Sequence, residues 1–128
     1  MFYVGADIGQ QNDYSAVAIL EHVQTVRPKE ALPGTPLWEQ ERPVIVNKYE
    51  LRLLEQFPLQ TPYPKVVERL IQIANNPKIA LKYRLIVDAT GVGRPIVDLL
   101  TAHGLTPVAI TITGGYTVGL DKTGFGYT

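Results

Sequence analysis

Two aspartates stand where acids are uncommon. Asp7 follows Phe2, Tyr3, Val4, Gly5 and Ala6 and precedes Ile8, and Asp88 closes the run Leu85-Ile86-Val87. A carboxylate set in an apolar strand loses hydration, so a metal, a cation or a dense set of hydrogen bonds is expected beside each. If their strands are adjacent and parallel, both carboxylates emerge at one end of a sheet, beside the crevice where α/β sheets place ligands. Oxygen-only ligands favour Mg2+ or Mn2+ over zinc. Two such ions about 4 Å apart would clamp the attacking and leaving oxygens of a phosphodiester displacement. The blander alternative is that each acid satisfies only the backbone donors of the turn that follows it. Asp13 is explained by turn chemistry after Gln11-Asn12, and a metal role is its secondary reading.

Other residues carry weaker signals. Gly91-Val92-Gly93 joins a strand to a helix, an arrangement that can cradle a phosphate, so Gly91, Gly93 and the adjacent Arg94 are candidates for substrate phosphate. A dinucleotide fingerprint would need glycine where Ile96 stands, and the lysine followed by serine or threonine of a nucleoside-triphosphate loop is absent. A tight turn needing positive φ explains the glycines as well. His22 and His103 have no partner at metal-ligand spacing, and Ser15 and Thr90 lack the histidine arrangement of an activated nucleophile.

The elements that must position the acids follow from periodicity. Phe2 to Ile8 and Tyr14 to Val26 read as strands around a polar turn. Arg27 to Pro43, with five prolines and glycines between Pro28 and Pro43, reads as a long excursion between two hairpin strands. A third strand opens at Val44 and runs through Tyr49, Leu51 and Leu53, alternating with Lys48, Glu50 and Arg52, which implies one wet face. Thr61-Pro62 serves as cap and first position of a helix whose apolar stripe is Val66, Val67, Leu70, Ile71 and Ala74. A buried strand, Tyr83 to Thr90, precedes a second helix from Arg94 to a left-handed Gly104, and Pro107 to Thr113 is the fifth strand. The expected fold is α/β, one domain over residues 1–128 with a mixed five-stranded sheet in the order 3-2-1-4-5. The glycine-rich stretch after Thr113 brings no closing helix, which suggests a chain cut short at its C-terminus.

Bulk properties narrow the partners. Twelve basic and twelve acidic residues balance, so no large positive field draws the chain onto nucleic acid unaided. The absence of cysteine excludes disulfides, thiolate zinc sites and cysteine nucleophiles. No apolar run approaches the roughly 20 residues that span a bilayer, and the N-terminus lacks the pattern of a signal peptide. A cytoplasmic protein without a membrane partner is expected.

Asp7-Ile8-Gly9, Asp13-Tyr14-Ser15-Ala16-Val17-Ala18-Ile19 and Val87-Asp88-Ala89-Thr90-Gly91-Val92-Gly93, with the order of elements, resemble the nuclease domain of phage terminase large subunits. The resemblance runs from Met1 to about Thr113. It implies a ribonuclease-H-like fold, cleavage of double-stranded DNA during packaging, and a two-ion site in which Asp7 matches the first-strand acid and Asp88 the fourth-strand acid. It further implies an ATPase domain, a small terminase subunit and a portal as partners in the full-length protein, and a phage or prophage origin in a bacterial host. The family places another acid after the fifth strand, where only Asp121 stands here. The isolated chain is therefore expected to lack one ligand. Two other readings share the sheet: an actin-like or sugar-kinase-like ATPase half, and a non-catalytic interaction domain.

Overall fold

A computed structural model of the chain describes residues 1–10, 12–28, 32–40, 42–91, 94–115, 118–119 and 126–127. The elements are β1 (Phe2–Asp7), β2 (Ala16–Arg27), α1 (Leu37–Gln40), β3 (Val44–Gln56), α2 (Tyr63–Ala74), β4 (Tyr83–Asp88), α3 (Arg94–Ala102), β5 (Val108–Ile110) and β6 (Gly126–Tyr127). They form one α/β mixed sheet in the order β3-β2-β1-β4-β5-β6, which contains the expected 3-2-1-4-5 order. β1 pairs antiparallel with β2 and parallel with β4, and β2 pairs antiparallel with β3. Among the described residues, no helix is long and apolar enough to cross a membrane.

The two longer helices share one face of this sheet, and handedness explains why. The chain steps from β3 through α2 to β4, then from β4 through α3 to β5, moving the same way across the sheet both times. Right-handed crossovers taken in one direction place their helices on one side. Val4 and Ala6 of β1, Val17 and Ile19 of β2, and Leu85 and Val87 of β4 point into that layer and are buried. Val66, Leu70 and Ile73 of α2 meet them, with Ile96 and Leu100 of α3. Each large aliphatic side chain buried here contributes on the order of 2 kcal/mol.

The opposite face carries no helix among the described residues. Side chains alternate along a strand, so this face receives Tyr3, Gly5 and Asp7 of β1, Ala16, Ala18 and Leu20 of β2, and Ile86 and Asp88 of β4. Leu54 is 70 % exposed and Ile112 66 % exposed, which shows how open the apolar floor is.

Several elements differ from expectation. The third strand does not alternate uninterrupted, because Leu20 pairs with Leu51 while Ile19 pairs with Leu53, leaving Arg52 in a bulge. The extra residue reverses which side chains point inward, so Leu51 stays exposed whereas Leu53 packs on the core. Arg52 reaches Glu21 at 2.6 Å and also pairs with Glu50, which in turn pairs with Lys48. The first long helix is capped by Pro62 instead of Thr61. The Thr61 hydroxyl is engaged in the preceding turn, donating to Pro58 O at 2.6 Å. The proline-rich excursion contains the single-turn α1, where Glu39 N donates to Pro36 O at 2.9 Å. β5 is limited to three residues, starting after a proline that cannot donate to the ladder. The two-residue β6 beyond it is a sixth strand.

β2 outruns its inner neighbour. Its pairing with β1 ends at Glu21, with a last link from His22 N to Met1 O at 2.8 Å, while its pairing with β3 continues to Arg27. The outer half of β2 therefore belongs to a two-stranded ribbon.

Candidate metal centre

The ends of β1 and β4 meet in register. Asp7 and Asp88 are the last residues of their strands and are direct partners in the parallel ladder. Adjacent strands lie about 4.8 Å apart, and direct partners direct their side chains to the same face. Both residues line one depression of about 340 Å³ on the open face, with Gly5, Ala16, Leu54 and Ile86 among its walls. Asp7 is exposed and Asp88 half-buried, which corrects the expectation that apolar flanks would bury them. Ala6 and Val87 turn into the helix layer, and alternation turns the acids outward to water.

The Asp88 carboxylate is held by its own turn. Its Oδ1 accepts from Thr90 N at 2.9 Å, and Thr90 Oγ1 accepts from Ile112 N at 2.9 Å. Thr90 thus ties the end of β4 to the chain beyond β5. The turn-capping role considered for Asp88 is present, and it occupies one of two carboxylate oxygens. No described residue hydrogen-bonds or ion-pairs with the Asp7 carboxylate. Thr90 was not singled out as a positioning residue from sequence; an acceptor side chain two residues before it, at the end of a strand, is the signal that identifies such a turn.

The turn after β1 is equally constrained. Gly9 N donates to Ser15 Oγ at 3.0 Å, and Ser15 is buried. A β-carbon at Gly9 would collide with the backbone of Asp13 and Tyr14, so the chain doubles back there only because residue 9 has no side chain. Gly91 takes φ +79°, which favours glycine, and the Gln10 amide lies against it. The turns following β1 and β4 are therefore in contact.

The remaining candidates are placed elsewhere. Asp13 lines a separate cleft of about 630 Å³ with Gln10, Asn12, Ser15, Gln60 and Thr61, and it is absent from the walls of the Asp7 and Asp88 depression. Arg94 is the first residue of α3 and is exposed. Gly93 and Asp121 lie outside the described residues. His22 stacks on Tyr49 with ring centroids 4.6 Å apart, and His103 Nδ1 lies 2.8 Å from Leu99 O.

Among the described residues, no three His, Cys, Asp or Glu side chains gather as a metal-binding group. Asp7 and Asp88 supply hard oxygen donors from two strands. That donor set suits a cation such as Mg2+, which binds through one or two carboxylates and keeps several waters. Comparison of the chain with protein-family models, with curated proteins and with solved structures gives no match.

Proposed function

We propose that this chain is the acid-bearing core of a metal-dependent DNA endonuclease with a ribonuclease-H-like sheet, of the kind found in terminase large subunits. The observation that supports this reading most directly is the in-register pairing of Asp7 with Asp88 at the C-terminal ends of parallel strands. A bound Mg2+ or Mn2+ pair would supply Lewis-acid polarisation of a phosphoryl oxygen and a more acidic water.

The chain's own residues bind and orient. Asp7 offers both carboxylate oxygens and Asp88 the oxygen that Thr90 leaves, while the exposed end of the sheet admits a phosphodiester backbone. A neutral chain contributes little long-range attraction for double-stranded DNA. In a terminase-like assembly, an ATPase domain, a small subunit and a portal would deliver the substrate, in the cytoplasm of a bacterial host. The resemblance implies a further acid in the ligand set, so metal binding is the more sensitive readout for this chain.

The test is Mn2+ titration by calorimetry together with nicking of supercoiled plasmid. Measurable Mn2+ binding, weakened by Asp7→Asn and by Asp88→Asn, is expected, and any Mn2+-dependent nicking should disappear in both variants. A wild-type chain that binds no Mn2+, or binds it as well after Asp7→Asn, overturns the proposal. Thermal stabilisation by ATP without cleavage would favour the nucleotide-binding reading.

A further inference from the structure

β3 borders the sheet, and among the described residues it is hydrogen-bonded to a neighbouring strand on one side only. Nine of its thirteen residues are exposed. It contains no proline, and Ile45, Tyr49 and Leu51 are 61 %, 61 % and 58 % exposed. A long edge with free N–H and C=O groups is a template for another strand, and proteins usually blunt it with charge. The charges on this edge alternate in sign, which selects a partner instead of repelling every one.

We propose that β3 pairs antiparallel with β3 of a second copy of this chain, about a two-fold axis at Tyr49. In such a pair, opposite residues share a face, so the axis passes through a residue and side chains equally far before and after it become partners. An axis at Lys48 sets that lysine against itself. An axis at Glu50 sets Glu50 against itself and Lys48 against Arg52. At Asn47 the partners of Lys48 and Glu50 are Val46 and Val44, and no charges pair. At Leu51 the bulged Arg52 interrupts the ladder beside the axis.

Tyr49 is the axial position that avoids these faults. Lys48 of each copy faces Glu50 of the other, joining the ion pair already formed within each strand into a four-charge network. Such a network outperforms isolated surface pairs. The two Tyr49 rings meet on the open face, an aromatic cross-strand pair of the kind that stabilises sheets. The uninterrupted seam runs from Asn47 to Leu51, close to the usual strand length of about five or six residues. It forms an isologous interface that closes on itself. Asp7 lies two strands away, roughly 10 Å across the sheet, and stays uncovered.

The cysteine-free sequence makes the test direct. Tyr49→Cys places two thiols at the axis, where opposite Cα atoms about 4.5–5.5 Å apart fall within disulfide range. Leu51→Cys places them four residues out of step, about 13 Å apart along the strands. Under mild oxidation, Tyr49→Cys should form a covalent dimer about ten-fold faster than Leu51→Cys. Light scattering of the wild type at tens of micromolar should give twice the chain mass. Lys48→Glu should give the single-chain mass with an unchanged circular dichroism spectrum, and Lys48→Glu with Glu50→Lys should restore the dimer. A wild type of single-chain mass at millimolar concentration overturns the proposal. So does equal cross-linking at both cysteine positions, or a charge swap that fails to restore association.

Discussion

The side-chain amide of Gln10 fills the space that a β-carbon on Gly91 would need. The loops that follow the two acid-bearing strands therefore touch, just beyond the rung that pairs Asp7 with Asp88. The two glycines involved are constrained differently. Gly9 is hemmed in by the backbone of Asp13 and Tyr14, whereas Gly91 faces the movable end of a glutamine and a positive φ. Gly9→Ala should cost about 3 kcal/mol in urea unfolding, the upper end of the overpacking range. Gly91→Ala should cost about 1 kcal/mol, the strain of a left-handed alanine. Equal losses would show that the turn after β1 can relax.

Two carboxylates side by side repel each other. Like charges directly opposite in a sheet destabilise by up to about 1 kcal/mol, so Asp7→Asn should stabilise the metal-free chain by about 0.5 kcal/mol at neutral pH. The same substitution should abolish the rise in melting temperature that Mn2+ produces, since a ligand stabilises only the state that binds it. Calorimetric melting with and without Mn2+ checks both effects.

Glu50 has its carboxyl held below the ordinary value of 4.5, first by its hydrogen bond from Lys48 and then by the charge of Arg52. A depressed folded-state value means that the stabilising contribution is present above the unfolded value and disappears as the pH falls through the folded one. Glu50→Gln should therefore flatten the stability profile below about pH 4.5 and leave its shape at neutral pH unaltered. Because the group is on the surface, the difference should shrink when the urea series is repeated in high salt.

The two faces of the sheet should respond unequally to truncation. Leu100 is fully buried in the helix layer, and Leu100→Ala should cost about 3 kcal/mol. Leu54 is 70 % exposed on the other face, and Leu54→Ala should change stability by less than about 0.5 kcal/mol. A large loss at Leu54 would mean that the open face is covered in solution.

Strand order and the meeting of Asp7 with Asp88 were legible because periodicity and crossover handedness are local or nearly local rules. The burial of the acids was misjudged, because apolar neighbours in sequence point to the other side of a strand. The one-sided placement of the helices follows from the 3-2-1-4-5 order and right-handed crossovers, yet it emerges only when both crossovers are traced together. The bulge at Arg52 was hidden, since Leu51 and Leu53 keep a regular spacing in sequence and part company only in pairing. Thr90 was hidden for another reason: its value lies in a hydrogen bond to Ile112, which sequence distance does not announce.

The outer half of β2 hangs beyond the last rung it shares with β1. Among the described residues, β3 is the partner that this half keeps, and an isolated two-stranded segment is only marginally stable, whereas the root of β2 is anchored in the core. In the single-chain state, amide protons of one continuous strand should then exchange in two regimes, slowly from Val17 to Leu20 and quickly from Val23 to Val26.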